Sequence, residues 1–147
     1  MIDRSFIGLQ LPPIVTHVER GRLRSFARAI GETNPVYLDT EAAQRAGFRD
    51  IPVPPTYPFC LEMLDADDPF ELFKHMRLPL ANVLHGEQFF TYHETICAGD
   101  RLTMSGRVVD IYDKRNGALE FIVQDTRGTN DRGELVLEMR RVVVIRH

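Results

Sequence analysis

Cysteine is scarce in this chain, and no part of it is long and apolar. Only Cys60 and Cys97 occur, and their spacing matches neither a zinc ribbon nor a redox pair. They read as two reduced, partly buried thiols of a cytosolic protein. No apolar stretch approaches the roughly 20 residues that a membrane-crossing helix requires. Met1-Ile2-Asp3-Arg4 lacks the basic start and apolar run of a signal peptide. The chain is therefore expected in the cytoplasm, away from the membrane. Lys and Arg are scattered and form no block, so no nucleic-acid groove is expected. Gly86 and Gly99 stand alone, which leaves no Gly-rich loop to cradle the phosphates of a nucleotide cofactor. The five histidines show no ligand spacing; His85 and His93 would lie roughly 26 Å apart on one strand. No metal and no cofactor are expected.

What remains is an ordinary globular composition. The 147 residues are 44% apolar and 27% charged, with a net charge of −3. That suffices for one sizeable core without disulfides or metals, so residues 1–147 read as a single domain. The organisation changes once along it. The first half is helical and Pro-rich, and the second half is strands.

Residues 14–18 form a short β-branched run, read as a strand. After Gly21, the spacing of Leu23, Phe26, Ala27 and Ile30 puts four apolar side chains on one helical face, and Gly31 closes that helix. A short helix is expected from Thr40 as N-cap to Gly47. Ile51-Pro52-Val53-Pro54-Pro55 must be extended. Thr56 or Tyr57 then opens a helix through Leu64, with Phe59, Cys60, Met63 and Leu64 expected to be buried. Asp68-Pro69 reads as the cap and first residue of another short helix. From Val83 onward the period is two. Three turn signals, Ala98-Gly99-Asp100, Asn116-Gly117 and the run 128–133, divide the remainder into four strands. Four meandering strands need a cover for their apolar face, and the proline-led helix supplies it. The expected fold is α+β, an antiparallel sheet wrapped around one central helix, which is the hot-dog arrangement.

Five segments then stand out in order. They are Phe26-Ala27-Arg28-Ala29-Ile30-Gly31, Asn34-Pro35-Val36-Tyr37, Pro54-Pro55-Thr56, His85-Gly86-Glu87-Gln88 and Ala98-Gly99-Asp100. Together they resemble the MaoC-like (R)-specific enoyl-thioester hydratases and dehydratases, and more closely their FAS1-like dehydratase branch. The resemblance implies water added to, or removed from, an acyl thioester of coenzyme A or acyl carrier protein. It implies an Asp and a His in a Gly-Asp-x-Asn-Pro-x-His motif, here at the positions of Glu32 and Tyr37. Such chemistry needs a positioned base for the α-proton and fixed donors for the developing thioester oxyanion. Glu32 keeps a carboxylate on a longer arm. Tyr37 is a donor at neutral pH, since a phenol ordinarily titrates near 10.

The catalytic candidates are Glu32, Asn34, Tyr37, His85 and Glu87, and the substrate-contact candidates are Pro55, Thr56, Tyr57 and Gly86. Asn34 reads equally as a loop-ordering residue. His85 and Glu87, two apart, are expected on one face of a strand, as an acid–base pair or as a local hydrogen-bonded pair. Free N–H groups at Thr56 and Tyr57 are expected to face the thioester oxygen. The alternatives are a non-catalytic acyl-binding subunit that pairs with a second, catalytic hot-dog chain, and a hot-dog thioesterase. A free sheet edge requires cover, so a homodimer or heterodimer is expected.

Overall fold

The computed structural model describes residues 1–147. Five strands form one antiparallel sheet: β1 (Ile14–His17), β2 (Val83–Tyr92), β3 (Arg101–Lys114), β4 (Leu119–Asn130) and β5 (Leu135–Arg146), in the order β1-β3-β4-β5-β2. Four short helices cover one face: α1 (Arg20–Ala29), α2 (Thr40–Arg45), α3 (Pro58–Leu64) and α4 (Glu71–His75). This is the hot-dog fold, with α3 as the enclosed helix. No helix is long and apolar enough to cross a membrane.

The core falls into two parts. Leu23, Tyr57, Leu61, Leu102, Met104 and Leu137 pack between α1, α3 and the sheet. Leu72, Phe73, Val108, Ile122, Val143 and Ile145 pack beneath α4, where Ile2 and the N-terminal strap close over them. Asp65, at the end of α3, ties the layers together. Its carboxylate accepts from Thr16 Oγ1 at 2.6 Å, from the His17 amide at 3.1 Å and from Arg22 Nη1 at 3.0 Å. Burial pushes this carboxyl up, but those three donors outweigh it and hold it below the usual carboxylate range.

Several expectations shift by a residue or a turn. Asp39, not Thr40, caps α2, because its carboxylate accepts from the Ala42 amide at 2.7 Å. Asp68 does accept from the Phe70 amide, but α4 begins only at Glu71. Ile30 falls beyond the last turn of α1 and is half exposed. The largest change is in α3. Helix starts at Pro58, so Leu61 and Glu62 turn inward, while Leu64 is 52% exposed.

β2 ends the sheet and has no neighbour on its outer side. Leu84, Phe89 and Tyr92 are exposed along it, at 50%, 53% and 40%.

Candidate functional site

The loop after α1 is set by local hydrogen bonds. Gly31 takes φ of +73° and closes the helix, with its amide on Arg28 O and that of Glu32 on Ala27 O. The Glu32 carboxylate turns back to accept from the Asn34 amide at 2.8 Å. Asn34 Oδ1 accepts from the Val36 amide at 3.1 Å and caps the single turn Pro35–Tyr37. One oxygen of Glu32 and the side-chain oxygen of Asn34 thus act as struts. Together they aim Tyr37.

Tyr37 lines a cavity of about 470 Å³ with Phe48, Pro52, Val53, Pro55 and residues 92–96. Two segments zip together to make it. Val53 donates its amide to Ile96 O and Ala98 to Ile51 O, both at 2.9 Å, which brings Pro55 beside the end of β2. Tyr92 Oη then donates to Pro55 O at 2.6 Å. Burial, and then the neighbouring Tyr37, push the Tyr92 phenol well above its ordinary value, so it stays neutral. His93, at the rim, places Nε2 2.9 Å from Glu138 Oε2. The loop motif and the proline motif, separate in sequence, therefore meet.

Tyr57 does not join them. Its side chain is 2% exposed and packs edge-on against Phe26, with ring centroids 5.1 Å apart. Its amide donates to Pro54 O at 2.9 Å. The expectation of a free Tyr57 N–H is corrected: Pro54 and Pro55 fold the chain into a turn before α3, and that turn uses the donor. Thr56 is exposed and its amide is the one left over.

His85 and Glu87 do not share a face. His85 pairs with Val143, Glu87 pairs with the adjacent Val142, and Gly86 between them has no partner. The extra residue makes a bulge, so the alternation slips by one. His85 shares the helix side with Val143, its ring 4.9 Å from that of Phe59. Glu87 points to the opposite side. A side chain at Gly86 would meet Val144 Cγ2 at 2.8 Å and Val142 O at 3.1 Å, which explains the glycine. His85 also lies seven residues before Tyr92 on β2, roughly 20 Å from the Tyr37 cavity.

Residues 5–139 match the family described as the FAS1-like, dehydratase domain region. The chain belongs to that family. A UPF0336 protein from Saccharopolyspora erythraea is 36% identical over 146 residues, covering 99% of this chain and 92% of its own length. Among solved structures, the C-terminally truncated HadBC (3R-hydroxyacyl-ACP dehydratase) complex from Mycobacterium tuberculosis contains a chain similar to this one. The TM-score is 0.80 at 27% identity, over 95% of this chain and 96% of that one. The R-hydratase PhaJ1 from Pseudomonas aeruginosa shares the fold, at TM-score 0.68 and 18% identity over 96% and 82% of the two chains.

This FAS1-like dehydratase domain also has a polar floor that the sequence reasoning missed. Glu62 on α3 is 7% exposed, and its Oε1 accepts from Gln124 Nε2 and from Thr126 Oγ1, both at 2.6 Å. Arg141 Nη2 donates to Gln124 Oε1 at 2.6 Å, and the guanidinium lies 6.0 Å from the Phe59 ring. Gln88, Arg141 and Gln124 stand opposite one another on β2, β5 and β4. The available signal was Gln124 itself, a polar residue in an otherwise apolar run, Phe121-Ile122-Val123. The Tyr92-His93 end of the Tyr37 cavity is not legible in the sequence either, where the spacing of His93 speaks only to metal binding.

Proposed function

We propose that this FAS1-like dehydratase domain is a hydro-lyase on acyl thioesters, hydrating an enoyl thioester or dehydrating its (R)-3-hydroxyacyl counterpart. The observation that carries this reading is the meeting of Tyr37 and Pro55, from two separate family segments, in one cavity. Phe48, Val53 and Ile96 give that cavity apolar walls. The Tyr37 phenol is a hydrogen-bond donor to a substrate oxygen. Two chains side by side, equal or different, would cover the free β2 edge, and the likeness to a chain of the HadBC complex supports such pairing. The test is loss of enoyl absorbance from crotonyl-CoA and from crotonyl carrier protein. Turnover by the purified chain is expected. Thiol release without hydration would instead make it a thioesterase.

A second reading is an acyl-binding subunit that pairs with a catalytic hot-dog chain. It is favoured by Glu32 and Asn34 serving as struts and by Tyr37 standing where the family has its histidine. Activity that appears only on mixing with such a chain would select it.

A further inference from the structure

In the loop motif one carboxylate oxygen of Glu32 is spent on the Asn34 amide and Tyr37 stands in the histidine position, and a second carboxylate, more deeply enclosed, lies elsewhere on the central helix. Glu62 borders a second cavity of about 260 Å³, beneath the far end of α3 and walled by Leu11, Pro12, Ile14, Met63 and Leu72. Its Oε1 is held by two donors, while its Oε2 has no hydrogen-bond partner. No Lys, Arg or His comes within ion-pair distance of it. Buried, fixed and unpaired titratable groups facing a cavity are the arrangement that acid–base chemistry uses.

We propose that Glu62 is the acid–base group of this domain, acting from the chamber beneath α3. The proposal rests on the hydro-lyase reading above and names the group which that reading leaves open. Oε2 takes a proton from water as the water oxygen bonds to the β-carbon. The π pair of the Cα=Cβ bond moves onto the thioester oxygen as an enolate. The carboxylic acid so formed returns its proton to the α-carbon, the C=O re-forms, and Glu62 is again a carboxylate. One water is consumed and nothing else; dehydration is the reverse. Gln124 and Thr126 are positioning residues, since they fix Oε1 and so aim Oε2. Arg141 acts one step further out, by holding the Gln124 amide in the orientation that presents Nε2 to Glu62. Tyr37 lines a different cavity, with Pro55 before the start of α3, and would hold an oxygen of the carrier arm rather than the reacting carbonyl.

The experiment compares wild-type chain with Glu62→Gln in crotonyl-CoA hydration, alone and mixed with a second hot-dog chain, alongside thermal melts. Gln keeps the Oε1 acceptor and removes only the proton transfer. The expected result is a kcat roughly 100-fold lower or worse, a KM within about threefold, and an unchanged or higher Tm. The acid limb of the pH–kcat profile should also vanish. Arg141, Asp65, Asp67, Asp68 and Glu71 are the other charged groups facing this cavity, and each is still present in the variant. Gln124→Leu should lower kcat less steeply and shift that limb. A wild type that hydrates crotonyl-CoA while Glu62→Gln stays within about threefold overturns the proposal and leaves the hydro-lyase reading standing. Activity that needs the second chain and ignores Glu62→Gln also overturns it. A wild type inactive in every mixture removes the hydro-lyase reading, and the proposal with it.

Discussion

Replacing Gly86 by Ala tests the account of β2 directly. The new Cβ would lie 2.8 Å from Val144 Cγ2 and 3.1 Å from Val142 O. The valine methyl can turn aside, but the carbonyl belongs to the β5 backbone and moves only with the sheet. Over-packing of this kind costs roughly 1–3 kcal/mol. The loss of unfolded-chain freedom on going from Gly to Ala returns about 0.4–1 kcal/mol, because φ at this position is ordinary. A net destabilisation of about 1–2 kcal/mol is expected, or roughly 2–8 °C in Tm for a chain of this size. Thermal melts by circular dichroism, checked against urea midpoints, would measure it. Val144→Ala in the same background removes the closer clash. The two substitutions should therefore be coupled by about 1 kcal/mol in a double-mutant cycle. A Gly86→Ala protein melting within 1 °C of wild type, or zero coupling to Val144, would refute the packing argument and with it the placing of His85 and Glu87 on opposite sides.

Two further outcomes follow from the hydrogen bonds. Glu32→Gln, which keeps an acceptor for the Asn34 amide, should leave Tm and kcat close to wild type. Glu32→Ala should lower Tm by the equivalent of about 1 kcal/mol; a large kcat loss in Glu32→Gln would reinstate Glu32 as the base. Asp65 titrates lower in the folded chain than the value of about 3.9 expected unfolded. Its contribution is thus fully present above about pH 4 and is lost as pH falls through the folded value. Asp65→Asn should be less stable than wild type near pH 6, and the gap should narrow in melts taken toward pH 3.

The parts of the fold that were legible depend on short-range rules. Gly31 and Gly47 end helices with positive φ because those turns favour glycine there, and Asn116 with Gly117 turns a hairpin for the same reason. Of the five family segments, the loop after α1 and the proline run meet in space, since Tyr37 and Pro55 share a cavity. What escaped was phase. A seven-residue helix has no spare turns, so moving its start to Pro58 decides which side chains face the sheet. That choice put Glu62 inside and Leu64 outside. Likewise one unpaired residue at Gly86 reverses the facing of everything after it, and two-residue alternation gives no warning. Glu32 and Asn34 were singled out for their chemistry; their first partners are backbone amides two residues on, which no motif reveals.

The open rim of β2 is divided by the same glycine. An approaching strand finds regular rungs from Glu87 to Tyr92, and a separate short set from Val83 to His85, out of step with the first. A long flat strand from an unrelated chain cannot zip across both. A bulge of this kind interrupts the ladder and so makes the edge a poorer template for indiscriminate strand pairing.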